Sequence, residues 1–299
     1  MTRSHLCLMR LLALTLTPCV AVAQDSSDVK QQSERRADAT PAVTAGVTTG
    51  SMSFADHRVQ QGVTGVLRYH VGASISVAVS PTYARMTYPA SLGGGSVSAL
   101  TDLPIELSLD RAIGVAWTPT LGLSLGATLP VGNEQVGFGS GAVGSSIGAG
   151  LGLSPTDVFS LHVGVGAPLT DYRLVGALGS SGSTWGDFEV SSHLLDRFDA
   201  TIGFDGDFAT SDSLGPARAV AFSLAASVAG PFTMTLSGGH GVSGAAARWT
   251  VALGFGTDFA GFQAIGSSSP IQRFLKAMGG SSHRGSGSGS SNSGHGRGP

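Results

Sequence analysis

RFDATIGFDGDF, residues 197–208, changes character at every step. Arg197, Asp199, Thr201, Gly203, Asp205 and Asp207 hold the odd positions; Phe198, Ala200, Ile202, Phe204, Gly206 and Phe208 hold the even ones. Side chains of a strand point alternately to its two faces, so this stretch carries one ionic face and one apolar, aromatic face. In a soluble sheet the apolar face turns inward. In a membrane barrel it turns outward to lipid, and the ionic face lines a wet interior.

The same alternation recurs from Val43 to about Phe262. TDLPIELSLD (101–110) sets Leu103, Ile105, Leu107 and Leu109 against Pro104, Glu106, Ser108 and Asp110. TLGLSLGATLP (120–130), SIGAGLGLS (146–154), FSLHVGVGAPL (159–169) and RWTVALGFGTDF (248–259) repeat the pattern. The non-apolar face is mostly Gly, Ser, Thr and Ala, where a solvated sheet would carry Lys, Glu, Arg and Gln. The chain has two lysines, Lys30 and Lys276, both outside the alternating region. Open sheets commonly guard their edges with lysine. Its absence, with small residues on one face, predicts a sheet closed on itself.

Twelve strands are predicted, at about 44–54, 61–70, 73–86, 101–110, 118–130, 142–154, 158–168, 184–194, 197–208, 218–229, 231–239 and 247–258. SPTD (154–157), LLD (194–196) and AGP (229–231) read as tight turns; ASLGGGSVSA (90–99) and ALGSSGSTW (177–185) read as long loops. Short turns at one end and longer loops at the other are what a barrel with a periplasmic and an outer rim shows. The expected fold is all-β: a transmembrane antiparallel up-and-down β-barrel of about 12 strands.

Composition points the same way. Charged residues make up 12% of the 299 positions, against about 25% in ordinary soluble domains. Glycine occurs 45 times. No stretch after residue 23 has the 18 or so apolar residues in a row of a spanning helix, so a membrane location requires a closed barrel. From Gln24 to Pro270 there are 19 acidic and 11 basic residues, a net of −8.

Residues 1–23 read as a signal peptide. Arg3 and Arg10 precede the apolar LLALTLTPCVAVA, which ends in Ala21-Val22-Ala23, a small-x-small cleavage site. A lipoprotein reading with Cys19 as the modified residue suffers from Pro18 directly before it. Cleavage after Ala23 removes Cys7 and Cys19, and with them any disulfide, thiolate or cysteine-metal chemistry. Residues 24–42 read as a flexible periplasmic leader, and 43–262 as the outer-membrane barrel. Residues 263–278 read as a short terminal segment able to form an amphipathic helix through Ile271, Phe274, Leu275 and Met278. Residues 279–299 read as a disordered Gly/Ser tail.

Local motifs carry little chemistry. GSGAVG (139–144) matches a dinucleotide-binding pattern but precedes a strand rather than a helix, and GSSIG (144–148) lacks the strand-turn-helix setting of a nucleophile elbow. The histidines have no metal-ligand spacing. Neither a catalytic residue nor a cofactor or metal site is expected. An outer-membrane lipid-modifying enzyme, drawing on His, Ser and an acid near one rim, is the least favoured of the membrane readings.

The charged residues are the informative ones, because charge on a lipid face costs about 2–4 kcal/mol for Arg or Lys at the midplane. Phasing therefore assigns Arg68, Glu106, Asp110, His162, Asp187, Glu189, Arg197, Asp199, Asp205, Asp207, Arg248 and Asp258 to the lumen. Asp187, Glu189, Asp199, Asp205 and Asp207 fall on two adjacent strands. Carboxylates so arranged either favour cations in a pore or pair with Arg197 and Arg248 and fill the interior; the sequence leaves both open.

SALTDLPIELSLDRAI (98–113), then PTLGLSLGATLPVGN (119–133) and GFGSGAVGSSIGAGLGLS (137–154), resemble the outer-membrane barrels grouped as MetA-pathway phenol-degradation proteins, often called transporters. Leu100, Asp102 and Leu103 match a Gly-Leu-x-Asp-Leu-like strand start, with Ala99 for its glycine. Pro130, Val131 and Gly132 match a Pro-Thr-Gly strand end, with valine for threonine. The resemblance covers roughly residues 60–170 and implies a 12-stranded type of barrel passing small, hydrophobic molecules. It carries over no binding residue. The chain departs from bacterial outer-membrane barrels in having 40 residues beyond Phe259, where they end on an aromatic residue.

The expected function is an outer-membrane channel or transporter for passive passage of small, hydrophobic or aromatic molecules, in a Gram-negative bacterium. Expected partners are outer-membrane lipid, a small-molecule solute and the barrel-assembly machinery, and no nucleic acid. A structural or adhesive barrel with an occluded lumen is the alternative.

Overall fold

A computed structural model describes residues 43–257, apart from 73, 114–116, 118, 157, 170–183, 195–197, 210–217 and 244–245. The leader, the terminal segment, the Gly/Ser tail and the cleavage site therefore lie outside the described residues. The strands are β1 (Val43–Ser53), β2 (Val59–Val71), β3 (Ile75–Val79), β4 (Thr82–Thr87), β5 (Ser96–Leu100), β6 (Leu103–Ala112) and β7 (Thr120–Leu129). They continue with β8 (Gly144–Thr156), β9 (Phe159–Pro168), β10 (Thr184–Leu194), β11 (Phe198–Ala209), β12 (Arg218–Ala229), β13 (Phe232–Gly241) and β14 (Trp249–Gly256).

Each strand pairs antiparallel with its neighbours, and β1 pairs with both β14 and β2, which closes the sheet into a barrel. The fourteen segments make twelve crossings. β3 and β4 both pair with β2 and follow one another along it. β5 and β6 likewise follow one another, β5 along β4 and β6 along β3. The first break falls at Ser80-Pro81, where proline has no N–H for the ladder; the Pro81 carbonyl accepts from the Gly65 amide at 2.9 Å. The second falls at Thr101-Asp102. One sequence expectation needs correction. The 90–99 segment is not all loop: it holds a turn of 3-10 helix at Ala90–Leu92 and then β5. Serine masks β5 in composition, but Val97 and Ala99 alternate correctly and pack on the buried interior.

The faces are oriented as a membrane barrel requires. The exposed large apolar residues sit on alternate positions of nearly every strand: Leu123 is 52% exposed, Ile202 64% and Phe222 58%. Residues between them are buried and polar, among them Thr44, Thr48, Gln60, Thr64, Arg68, Ser108 and Thr235. A water-soluble protein would bury the first set and expose the second. Within RFDATIGFDGDF, Phe198, Ile202, Phe204 and Phe208 all face outward.

The apolar band has edges. Phe232 and Phe255 stack at 5.6 Å between ring centroids near the rim that carries the strand-to-strand turns, with Tyr69, Phe159 and Phe198 exposed near the same rim. Tyr83, Phe208 and Trp249 are exposed near the opposite rim. Aromatic girdles of this kind mark the two bilayer interfaces. Above Tyr83 the outward row Ser51–Gln61–Arg85–Ser98 is polar, and Arg85 donates to the Ser96 hydroxyl at 3.0 Å. This polar outward row lies on the loop-rim side of Tyr83. Val43 and Gly256 lie at the turn rim, as twelve crossings demand.

Candidate functional site

The inner wall is uneven. On β1, β2 and β4 the inward positions form a close-set row, Thr48–Thr64–Thr82, with the Thr64 and Thr82 hydroxyls 2.7 Å apart. Thr48 and Thr64 are fully buried. On β7, β8 and β9 the inward positions are glycine, serine or threonine, apart from His162 and Pro168. Following the hydrogen-bonded register around the wall gives the row Asp110–Gly122–Gly150–Gly164–Asp187–Asp205. The neighbouring row toward the loop rim is Ser108–Ser124–Gly148–Gly166–Trp185–Asp207. The row toward the turn rim ends in Gly152–His162–Glu189–Gly203.

Glycine here is a matter of space. Neighbouring side chains lie down along the wall over the missing Cβ atoms. The Trp185 indole covers Gly166 so closely that a Cβ there would come 2.8 Å from its Nε1, and the ring reaches toward Gly148. Asp187 leans over Gly164 and Glu189 over Gly203. The wall between Asp110 and Asp187 therefore projects no side chain beyond glycine into the lumen at that level.

The acids are close to one another. Asp187 and Asp205 sit directly opposite across the β10–β11 pair. Like charges so placed repel, and the arrangement is offset by His162, whose Nε2 lies 3.1 Å from Asp187 Oδ2. His193 Nδ1 meets Asp199 Oδ1 at 2.7 Å, toward the turn rim.

Of the residues singled out from sequence, Arg68 is buried on the inward face. It shares a row with Glu106 across Ala78. Asp110, His162, Asp187, Glu189, Asp205 and Asp207 come together on one side of the barrel by the register above. Asp199 stands apart from them, bound to His193. Arg248 is exposed just before β14, its amide donating to the Ser53 carbonyl at 2.7 Å. Arg197 and Asp258 lie outside the described residues. Among the described residues no group of three or more His, Cys, Asp or Glu is arranged to hold a metal.

Two features were missed in the sequence. Trp185 is an aromatic in phase with Asp187 and Glu189, so its place on the polar face was legible. The second is the segment between β7 and β8, which turns into the barrel. Its Phe138 is buried with Met52, Phe54, Ala84, Met86 and Ala252, from strands on the far side of β5. The glycines of GSGAVG serve this turn: Gly139 packs on the Gly132 backbone, and Gly141 adopts a left-handed φ of 66° beside Glu134.

No protein-family model matches the chain, and neither does any curated protein; the MetA-pathway resemblance is not confirmed. Solved structures do match. A COG4313 outer-membrane channel from Pseudomonas putida F1 is similar at 12% identity, with 73% of this chain and 96% of that one covered and a TM-score of 0.56. The NanC porin matches at 13% identity, 71% and 98% coverage and a TM-score of 0.49. The CymD monoaromatic hydrocarbon channel matches at 7% identity, 80% and 94% coverage and a TM-score of 0.45. At such identities the first likeness speaks to fold: this is the architecture of outer-membrane β-barrels.

Proposed function

We propose that the chain is a passive outer-membrane channel for small molecules, hydrophobic or aromatic ones in particular. It sits in the outer membrane of a Gram-negative bacterium after cleavage near Ala23, inserted by the barrel-assembly machinery and with no enzymatic activity of its own. The observation that carries this reading is the glycine-paved wall of β7–β9. A barrel that serves only as a scaffold fills its interior with interlocking side chains, whereas here Trp185, Asp187 and Glu189 lie down over the glycines of the wall. The partly exposed Trp185 places an aromatic ring on this inner wall, a group suited to offset stacking with an aromatic solute. The inward charged residues Arg68, Glu106, Asp110, His162, Asp187, Glu189, Asp199, Asp205 and Asp207 line the route.

A second reading, an occluded structural barrel, is favoured by the inward-turned segment around Phe138. Conductance separates the two. The purified chain, refolded and added to planar bilayers, is expected to give discrete current steps, smaller when a monoaromatic solute is added at millimolar concentration. A barrel that shifts on heat-modifiable gels yet passes no current would contradict the channel.

A further inference from the structure

Two short segments, Leu100–Leu103 and Pro130–Gly132, meet inside the barrel, and one carboxylate bridges from Asp102 to Gly132, 30 positions on. Asp102 stands in the break between β5 and β6. Its Oδ1 accepts from the Gly132 amide at 3.0 Å, and its Oδ2 accepts from the Ser140 amide at 2.6 Å. Its own amide donates to the Phe138 carbonyl at 3.2 Å. The two ends of the inward segment are thus held by the two oxygens of one side chain, with Phe138 projecting between them into the buried apolar cluster. Charge-assisted bonds to backbone N–H groups are the stronger kind, and Asp102 makes two of them across this junction, beside the backbone bond from the Asn133 amide to the Leu100 carbonyl at 3.4 Å. The fit leaves no slack: a Cβ on Gly132 would collide with the Phe138 carbonyl oxygen and lie 2.7 Å from the Asp102 amide and 2.8 Å from its Oδ1.

We infer that Asp102 is the latch of a gate: its carboxylate holds residues 132–140 in the lumen, and loss of either hydrogen-bonded arm lets the segment swing out and widens the bore. The inference rests on the channel reading for its consequence, but not for the latch itself. The Asp102 side chain is a positioning group, since it touches the segment and not the solute. Nothing covalent links the segment to the wall beneath it. Apolar contacts at Phe138 resist displacement without fixing direction, whereas the two carboxylate bonds fix both ends.

The test uses the full chain with Cys7 and Cys19 changed to serine and spin labels at Gln135→Cys and Thr87→Cys, both exposed positions. Asp102→Ala removes the latch. Gly132→Ala leaves the carboxylate in place and forces the segment off it, so a folding failure of one variant leaves the other. A narrow label-to-label distance distribution is expected in the parent chain, and a broadened, longer one in both variants, with single-channel conductance rising severalfold. An unchanged distribution in folded Asp102→Ala and Gly132→Ala overturns the latch while leaving the channel reading intact. Broadening in the variants but not in the parent, with none of the three passing current, supports the latch and overturns the channel; a broad distribution in the parent overturns the latch.

Discussion

Leu224→Arg is expected to destabilise the folded barrel by about 2–4 kcal/mol in lipid vesicles, the cost of a cationic side chain near the bilayer midplane. Leu224 is at the middle of β12 and faces outward, between Ala200 and Leu236 on the adjacent strands. Ala221→Arg, three residues earlier on the half-buried inner face and opposite Gly203 and Gly239, is expected to cost far less, because an inward cation meets the wet, acidic lumen rather than lipid. Urea unfolding followed by heat-modifiable gel migration reads both. Equal costs, or a larger one at Ala221, would mean that the two faces have been exchanged. The comparison is within one strand, so differences in expression or strand propensity do not confound it.

Removing charge from the acidic row is expected to change what passes rather than whether the barrel folds. In Asp110→Asn/Asp205→Asn the cation preference of the channel should fall severalfold, seen as a reversal potential moving toward zero under a salt gradient. Asp110 and Asp205 flank the glycine wall, Asp110 partly exposed and Asp205 exposed, while the Asp187 side chain between them is nearly buried and lies against His162. The two outer carboxylates therefore carry more of the field that a passing ion meets. The dilute side should be near 0.01 M salt, where the Debye length is about 30 Å; at 0.15 M it is about 8 Å, and the effect shrinks. An unchanged reversal potential would assign these acids to internal pairing, the other reading that the sequence leaves open. Asp187→Asn is the wrong single test, since it also strips His162 of its partner.

How much was written in the sequence depends on the range of the interaction. Alternation is local, and it placed the strands and their faces: Leu103, Leu107 and Leu109 outward, Glu106 and Ser108 inward, β11 from 198 onward. Charge avoidance of lipid is also local, and it assigned Arg68 and Asp187 to the polar face, where both side chains are largely buried. It gave no place to Arg85, which faces outward in the polar row Ser51–Gln61–Arg85–Ser98, a row that only the register of four strands reveals. The breaks at Ser80-Pro81 and Thr101-Asp102 depend on how three strands share hydrogen bonds, which no single strand encodes. The acidic row required register across five strand pairs, so Asp110 and Asp187, 77 positions apart in the chain, could not be placed at the two ends of one glycine row. The latch is of the same kind. Asp102, Gly132 and GSGAVG each stood out, one pair as a resemblance and the other as a chance motif match, but only the fold joins them in one contact.

The central claim is that the apolar side of each strand meets lipid while the small and ionic side meets water in a closed cylinder. A nitroxide scan of residues 198–208 in lipid vesicles tests it most directly. Labels at 198, 200, 202, 204, 206 and 208 are expected to be accessible to oxygen, and labels at 199, 201, 203, 205 and 207 to a water-soluble nickel chelate, with strict period two. Alternation of the opposite sense, or even positions shielded from both reagents as in two packed sheets, would contradict it.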